Sequence, residues 1–138
     1  MRIRSKLAAV VGVMVGSTWL VASAVPASAA GPCGSGYTRI GVYNIPATGT
    51  KKGTLEVYYN SGSGKNCALA YGSGANYGTT TYKAVGIALP TSDGWADYEA
   101  DDFKYYAGPV YVTAKGKCID LVGAVGTAVR YATNVHCG

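Results

Sequence analysis

The sequence predicts an all-β protein, a small disulfide-stabilised antiparallel β-sandwich, with a small β-barrel as the alternative. Apolar and polar residues alternate along many short segments, which is the pattern of half-buried strands. Glycine-rich turns separate these segments, and the chain has 20 glycines among its 138 residues. No segment shows an apolar period of 3.6 residues long enough for a helix. We expect about seven to nine strands.

Residues 1–29 have the organisation of a secretory signal peptide. A basic start is followed by an apolar run, which Pro26 interrupts before the small-residue cleavage site Ala27-Ser28-Ala29. A membrane anchor is the alternative, because the apolar run approaches the length that spans a bilayer. The helix-breaking proline and the cleavage site favour the signal peptide. Residues 30–138 would then be a single secreted β domain.

The positive charge of the chain belongs largely to this leader. The chain has 12 Lys and Arg against 7 Asp and Glu, and Arg2, Arg4 and Lys6 lie in the leader. Basic residues form no cluster larger than Lys51-Lys52, so the composition does not indicate nucleic-acid binding. We expect no nucleic-acid partner, no membrane attachment after cleavage, and a monomer.

All four cysteines follow the leader, and an even number in an exported chain indicates disulfides. Among the three possible pairings we favour Cys33 with Cys67 and Cys118 with Cys137. Each bond then stays within one half of the chain and ties a terminus to a strand. Loops of these lengths suggest roughly 3–4 kcal/mol of stabilisation per bond in the chain-entropy model. The wide spacing of the cysteines argues against a zinc site.

The clearest element is a β-hairpin over residues 55–71. Two alternating apolar sets form it: Leu55, Val57 and Tyr59, then Cys67, Leu69 and Tyr71. A five-residue loop, residues 61–65, would place Tyr59 opposite Cys67 and turn both sets inward, whereas a four-residue loop would turn one set outward. We therefore predict the five-residue loop, with Tyr58 exposed on the opposite face.

Alternation and turn residues predict the remaining strands. They are residues 37–44, 79–89, 103–106, 109–113 and 127–137. We predict a second hairpin over residues 110–121, because a turn at Lys115-Gly116 places Val112 opposite Ile119. In the last strand one face carries Val129, Tyr131, Val135 and Cys137.

The acidic run of residues 93–102 is the main charged feature. Asp97, Glu99 and Asp101 would share a face if extended, and they are a weak calcium candidate because calcium prefers carboxylate oxygens. A catalytic carboxylate pair is a further alternative. The run lacks the spacing of a calcium loop. We favour a solvated loop held to the core by its aromatic residues, which are Trp95, Tyr98 and Phe103.

No arrangement typical of catalysis is present, and we expect neither enzymatic activity nor a cofactor. His136 is the one histidine of the chain and lies beside Cys137, where alternation predicts an outward-facing strand residue. A Ser-His-Asp site needs a base held near a nucleophile, and no G-x-S-x-G segment is present.

Tyrosine is unusually frequent, with 12 tyrosines against one phenylalanine. The pairs Tyr58-Tyr59 and Tyr105-Tyr106 put one ring on each face of a strand. Tyr58, Tyr105 and Tyr106 are therefore candidates for an exposed surface that stacks on sugars or fills a partner's pocket. The alternative is that they are ordinary sheet residues, since tyrosine is common in strands.

Several segments carry a resemblance to a known family. They are LEVYYNS at 55–61, GKNCA at 64–68, YAGPVYV at 106–112, GKC at 116–118 and HCG at 136–138. On these segments the chain resembles the small exported spore-associated proteins of actinobacteria, of the spore-associated protein A type. The resemblance implies export and association with spores or aerial growth, and it implies no catalytic residues.

We therefore expect a non-enzymatic secreted protein of the spore or cell surface, whose partners are cell-wall or spore-surface components. One alternative is a carbohydrate-binding module that uses exposed tyrosines. Another is a secreted inhibitor or toxin that acts on a protein partner through a loop, with residues 47–53 or 72–78 as candidates. A carbohydrate-binding module should show a flat row of outward aromatic side chains on one sheet.

Overall fold

The structure of the chain is a computed structural model that describes residues 31–138. The signal peptide predicted for residues 1–29 lies outside the described residues. Residues 36–138 form a compact unit of their own. Of the unit that precedes it, Gly31–Ser35 are described, with one turn of 3-10 helix over Gly31–Cys33.

Eight β-strands make up almost all regular structure of the described chain. They are β1 (Thr38–Ile45), β2 (Gly53–Asn60), β3 (Lys65–Gly72), β4 (Thr81–Ala88), β5 (Asp97–Phe103), β6 (Tyr106–Thr113), β7 (Ile119–Val125) and β8 (Ala128–Val135). A further 3-10 turn covers Gly74–Asn76. Residues 31–138 contain no helix with the length and hydropathy of a membrane span.

The strands form two four-stranded sheets in which every neighbouring pair is antiparallel. The first sheet has the order β1-β2-β3-β6 and the second has the order β5-β4-β7-β8. Their inner faces share one core, whose largest fully buried apolar side chains include Ile45, Leu55, Ile87, Ile119 and Leu121. The predicted all-β sandwich is confirmed, and the two sheets do not close into a barrel.

The register of the central hairpin was predicted wrongly. Asn60 pairs with Lys65, so the loop has four residues, and Cys67 lies opposite Tyr58 rather than Tyr59. The side-chain oxygen of Asn60 accepts hydrogen bonds from the backbone N–H groups of Gly62 and Ser63, at 2.9 and 3.1 Å, which stabilise this shorter loop.

Burial on both faces of β3 explains the error. Ala68 and Ala70 point into the core, while Cys67 and Leu69 point to the outer face, yet all four are fully buried. Because apolar residues occupy both faces, matching apolar sets across the hairpin does not select the register.

The predicted hairpin over residues 110–121 is also wrong. β6 belongs to the first sheet and β7 to the second, so the chain crosses between the sheets here. A turn in which Lys117 N–H donates to the Ala114 carbonyl, at 3.0 Å, makes this connection. A connection that crosses between sheets brings two apolar strands into one core, and so does a hairpin. The apolar pattern alone therefore does not distinguish the two kinds of connection.

The bounds of strand β6 show that two further predicted strand boundaries were wrong. Residues 103–106 are not a strand, because β5 ends at Phe103 and β6 begins at Tyr106. The interruption predicted at Ala107-Gly108 is a bulge within one continuous strand, since Ala68 pairs with Val110 while Ala70 pairs with Ala107.

The last strand contains a bulge that changes which side chains face the core. Leu121 pairs with Ala132 but Ile119 pairs with Val135, so β8 carries one extra residue, and Asn134 there has a φ of 57°. Ala132 is consequently buried, whereas Val129 and Tyr131 point outward, 44% and 63% exposed. The single apolar face predicted for this strand is therefore wrong.

The cysteines are all oxidised. Cys118 and Cys137 form the disulfide predicted for them. Cys33 and Cys67 are each disulfide-bonded as well, so no cysteine among residues 31–138 is free.

Candidate binding surface on the second sheet

The outer face of the second sheet carries a group of exposed aromatic side chains, here called the aromatic face. Its aromatic members are Tyr82, Trp95, Tyr98 and Tyr131, and the face also includes the exposed Val129 and the buried Val122. The rings are 42% exposed at Tyr82, 39% at Trp95, 48% at Tyr98 and 63% at Tyr131. Beneath them lies a floor of small residues that are buried, namely Ala84, Ala88 and Ala124.

Strand pairing places part of the aromatic face in one row across all four strands. Tyr98 of β5 pairs with Gly86 of β4, Gly86 pairs with Val122 of β7, and Val122 pairs with Tyr131 of β8. Paired residues point to the same face of a sheet, so the two tyrosines flank a low centre. The row spans three strand spacings, roughly 14 Å. This length and flatness suit an extended ligand.

Gly86 is the notch that seats two of the rings. A Cβ atom at this position would lie 2.8 Å from Cδ1 of Tyr98, 3.0 Å from Cδ2 of Trp95 and 3.0 Å from Cγ1 of Val122. The absence of a side chain lets Trp95, from the connection before β5, fold back over the sheet beside Tyr98. A glycine inside a strand often marks such a close approach.

Three tyrosines of the aromatic face influence one another electrostatically. A hydrogen-bonding interaction with Tyr82, followed by burial and by the nearby phenols of Tyr82 and Tyr131, raises the pKa of Tyr98. The phenols of Tyr82 and Tyr131 are therefore near enough to influence Tyr98, although the three tyrosines come from three different strands. A contiguous exposed patch of this kind is a mark of a binding surface.

Both charged positions of the face are acidic. Asp102 pairs with Tyr82, and Asp120 pairs with Ala88, which puts both carboxyl groups on the outer face. Tyr82 and Ala88 lie near the two ends of β4, so the carboxyl groups are separated by about 20 Å along the strand direction. The basic residues of the second sheet point elsewhere: Lys83 is fully buried, and Arg130 reaches Asn44 of the first sheet.

A shallow cavity adjoins the face at the Asp120 end. Its volume is about 230 Å³, and its lining consists of Ala88, Leu89, Ser92, Gly94, Trp95 and Asp120. Oδ1 of Asp120 accepts the backbone N–H of Asn134 at 2.8 Å, which holds the carboxylate in place. The cavity therefore combines an aromatic wall with a positioned carboxylate.

Two of the residues expected to anchor the acidic run belong to this surface instead. Trp95 and Tyr98 face outward, and Phe103 alone of the three packs against the core. The run is also not a loop over its whole length, because Asp97–Phe103 form β5. The solvated-loop prediction was thus wrong for this part of the run.

The tyrosines predicted for a binding surface lie elsewhere. Tyr58 does point to the outer face of the first sheet, but it is only 7% exposed, so its predicted exposure was wrong. Its hydroxyl donates to Oε1 of Glu56 at 2.8 Å. Burial, and then the bond and charge of Glu56, raise the pKa of Tyr58 to about 12.

The other two predicted tyrosines pack against neighbouring rings. Tyr106 is half-buried, and its ring centroid lies 5.2 Å from that of Tyr71. Burial raises the pKa of Tyr71 to about 12. Tyr105 is 44% exposed and lies 4.9 Å from Tyr77, which is 55% exposed. The Tyr77–Tyr105 pair is therefore a second, smaller exposed aromatic site.

The carboxylates considered for calcium contact backbone groups. Asp97 Oδ2 accepts the N–H of Tyr111 at 3.0 Å, and Glu99 Oε1 accepts the N–H of Gly108 at 2.6 Å. Asp101 accepts the N–H of the next residue at 2.8 Å. Within residues 31–138 no three His, Cys, Asp or Glu side chains are arranged to hold a metal ion.

His136 reaches across to the first sheet. Its Nε2 atom lies 2.9 Å from the Tyr43 hydroxyl, and its ring lies over Gly41. The side chain is half-buried, which lowers its pKa. The predicted outward orientation was wrong, because β8 ends at Val135 and His136 has a φ of 52°, so strand alternation no longer applies.

Lys83 carries a buried amine. Strand alternation predicts that it faces the core like its apolar neighbours, and gives no sign that it has a separate role. It is fully buried, yet Nζ donates to the Phe103 carbonyl and the Thr81 hydroxyl, both at 2.7 Å, and to the Thr79 carbonyl at 3.4 Å. Burial lowers the pKa of Lys83, while the charge of Asp102 raises it. Through these three hydrogen bonds, Lys83 connects β4 and the segment before it to the end of β5.

The loops considered for an inhibitor brace each other. The backbone N–H of Ser73 donates to the Lys52 carbonyl at 3.0 Å. Residues 74–76 form a 3-10 turn rather than an extended loop. This arrangement holds the second loop against the first.

A sequence signal for the aromatic face did exist in β4. If Lys83, Val85 and Ile87 face the core, the other face of this strand carries Tyr82, Ala84, Gly86 and Ala88. A stripe of such small residues beside a tyrosine indicates that other groups lie over it. The partners Tyr98 and Tyr131 could be assigned only after the strand order was known.

The chain is similar to a curated protein. It is 37% identical over 112 residues to Spore-associated protein A of Streptomyces coelicolor, a match that covers 81% of this chain and 68% of that protein. No protein-family model and no solved structure matches the chain.

Proposed function

Because this chain belongs to the spore-associated protein A family, we propose that it is a non-enzymatic protein of the spore or cell surface that attaches to surface polysaccharide through its aromatic face. The family relationship supports the surface location, and the disulfides suit an exported protein. The attachment mode is supported by one observation above others: the row of outward aromatic side chains on the second sheet.

Sugar rings have apolar faces that stack on aromatic side chains, and hydroxyl groups that hydrogen-bond to carboxylates and phenols. The aromatic face presents both kinds of group, with exposed rings in the middle and carboxylates towards the ends. The strand positions of its tyrosines are set by sheet pairing, and the rings of Tyr98 and Trp95 pack over Gly86. A ligand would therefore bind with little loss of side-chain entropy in the protein.

The spacing of the carboxylates supports binding rather than hydrolysis. Glycosidases use two carboxyl groups roughly 5–9.5 Å apart around the bond that is cleaved. Asp102 and Asp120 are separated by about 20 Å along the strand direction, so they cannot act on one glycosidic bond.

The test is binding of the secreted protein to insoluble polysaccharides and to spores. Depletion from solution by chitin and by cellulose should show saturable binding, with no release of soluble sugar. Replacing two rings of the face, Tyr98→Ala with Tyr131→Ala, should weaken binding by about tenfold or more.

A matched control removes the same number of rings from the second aromatic site. Tyr77→Ala with Tyr105→Ala deletes two exposed tyrosines outside the face. This variant should bind as the unmodified protein does. If it loses binding while the face variant keeps it, attachment uses the Tyr77–Tyr105 pair instead. Failure to bind any polysaccharide or spore preparation would rule out the proposal.

A further inference from the structure

We propose that the aromatic face selects polysaccharides that carry free amino groups, such as polymers of glucosamine, over neutral and anionic ones. This inference rests on the proposed function and adds the chemical class of the ligand. It is carried by the distribution of charge on the face, which is acidic at both ends and has no basic side chain among the outward positions of its four strands.

Three of the exposed rings and both carboxylates lie along one track, which follows β4 and crosses the row that joins Tyr98 to Tyr131. At one end, Asp102 is beside Tyr82 on neighbouring strands. The track continues over Tyr98 and Trp95, which meet above Gly86. At the other end, the cavity of about 230 Å³ brings Trp95 and Asp120 together. An extended polymer lying along β4 would contact rings in the middle and a carboxylate at each end.

The electrostatics of this track favour an ammonium-bearing ligand. An ammonium group is attracted to the face of an aromatic ring, and more strongly where the ring is partly desolvated. It also forms a charge-assisted hydrogen bond with a carboxylate. An anionic polymer would meet the same carboxylates with like-charge repulsion.

The positive charges of the second sheet offset the acidic charge of the face only in part, at the Asp102 end, where the charge of Asp102 acts on the pKa of Lys83. Lys83 is fully buried, with its three hydrogen bonds directed to protein acceptors. Arg130 donates to the Asn44 carbonyl at 3.1 Å and lies 5.0 Å from the centre of the Tyr43 ring. Both cations therefore serve contacts away from the outer face.

The experiment compares the full secreted protein on three polymers that are cross-linked to beads, at one mildly acidic pH: chitosan, its acetylated counterpart chitin, and the anionic polygalacturonate. We expect affinity for chitosan to exceed that for chitin by about three- to tenfold, and polygalacturonate to bind least. Added salt should reduce the difference between chitosan and chitin, because exposed charges are screened.

Variants that each remove one carboxylate charge show which part of the protein is responsible for the preference for chitosan. Asp102→Asn and Asp120→Asn should each reduce binding to chitosan by a few fold and leave binding to chitin unchanged. Asp101→Asn is the matched control, because it removes the same charge from the same strand but faces the opposite side. Two separate test positions keep the comparison valid if one variant folds poorly, which thermal melts would reveal.

Three outcomes would overturn the inference. Equal affinity for chitosan and chitin would leave the proposed function intact but remove the preference for amines. An equal loss with Asp101→Asn would show that the overall charge, and not the face, attracts the polymer. Self-association that Asp102→Asn abolishes, without polysaccharide binding, would show that a second copy of this chain covers the face, and would reject the proposed function as well.

Discussion

Oε1 of Glu99 accepts a hydrogen bond from the backbone N–H of Gly108 at 2.6 Å, and this bond joins the two sheets at their edges. Glu99 lies in β5, the edge strand of the second sheet, and Gly108 lies in β6, the edge strand of the first. Asp97 makes the corresponding bond to Tyr111 at 3.0 Å. Inward-pointing carboxylates thus occupy N–H groups that an exposed edge would offer to another chain.

Replacing Glu99 by alanine should lower the free energy of unfolding by about 1 kcal/mol, because the Gly108 N–H loses its charged acceptor at a solvent-accessible position. Glu99→Gln keeps an acceptor oxygen and should lose less than half of this. Asp101→Ala is the control, since Asp101 bonds to the adjacent residue, and it should stay within about 0.5 kcal/mol of the unmodified protein. Chemical denaturation measures all three, and equal losses at both positions would contradict the edge-closure role.

Tyr58 should prove to be a structural residue. It is 7% exposed and hydrogen-bonded to Glu56, so Tyr58→Ala should destabilise the protein by about 3 kcal/mol, as large-to-small changes at buried aromatic positions do. Tyr58→Phe removes only the hydroxyl and should lose about 1 kcal/mol. Thermal or chemical melts test this, with Tyr105→Ala as an exposed comparison. If Tyr58→Ala lowers the free energy of unfolding no more than Tyr105→Ala does, Tyr58 is a surface residue and its structural role is rejected.

The stability of the fold should fall on acidification through His136. Burial lowers the pKa of His136 below its ordinary value of 6.5, so the folded protein favours the neutral imidazole. The unfolded chain therefore binds the proton more readily, and this contribution to stability is present above about pH 6.5 and is lost as the pH falls below it. His136→Gln cannot titrate, and its unfolding free energy should change less over this interval. Parallel slopes for the two proteins, measured by denaturation at neutral and mildly acidic pH, would contradict this role.

Gly86→Ala should disturb the aromatic face. The added methyl group would lie 2.8–3.0 Å from atoms of Tyr98, Trp95 and Val122, so the rings must move. Overpacking of this kind destabilises by about 1–3 kcal/mol. Trp95 is the one tryptophan among residues 31–138, so its fluorescence in the protein without the predicted leader reports the displacement directly.

The comparison for this variant lies on the same face. Ala100→Ser is a change of similar size at an outward position of β5 that pairs with Ala84 rather than Gly86. It should leave the emission of Trp95 and the affinity for polysaccharide unchanged. An unaltered emission spectrum in Gly86→Ala would show that the rings do not depend on the notch.

Much of the architecture is already present in the one-dimensional pattern. Alternation along Thr81–Ala88 places Lys83, Val85 and Ile87 on the core-facing side, as the structure has it, because successive side chains of a strand point to opposite faces whatever its partners are. The pairing of Cys118 with Cys137 was predictable because both cysteines lie in the same half of the chain, near its C-terminal end.

Other features depend on which strands become neighbours. The hairpin register could not be predicted because β3 is buried on both faces, and the connection after β6 could not be recognised as a crossing between sheets. The bulge in β8 reversed Val129 and Tyr131 relative to the core. A shift of one residue moves every following side chain to the other face, so a local irregularity has consequences along the whole strand.

The candidate site is also a feature that depends on which strands become neighbours. In sequence, the connection between β4 and β5 separates Tyr82 from Tyr98, and two whole strands, β6 and β7, separate Tyr98 from Tyr131. Composition showed only that tyrosine is frequent. The strand order β5-β4-β7-β8 brings them onto one surface, and the missing side chain of Gly86 lets the rings lie down there. The sequence by itself determined most of the strands and the period of two along them, because these follow from local backbone geometry, whereas β5 was recognised as a strand only in the structure. Tertiary pairing alone decided which outward rings meet, because contact between distant strands depends on the packing of the whole sandwich.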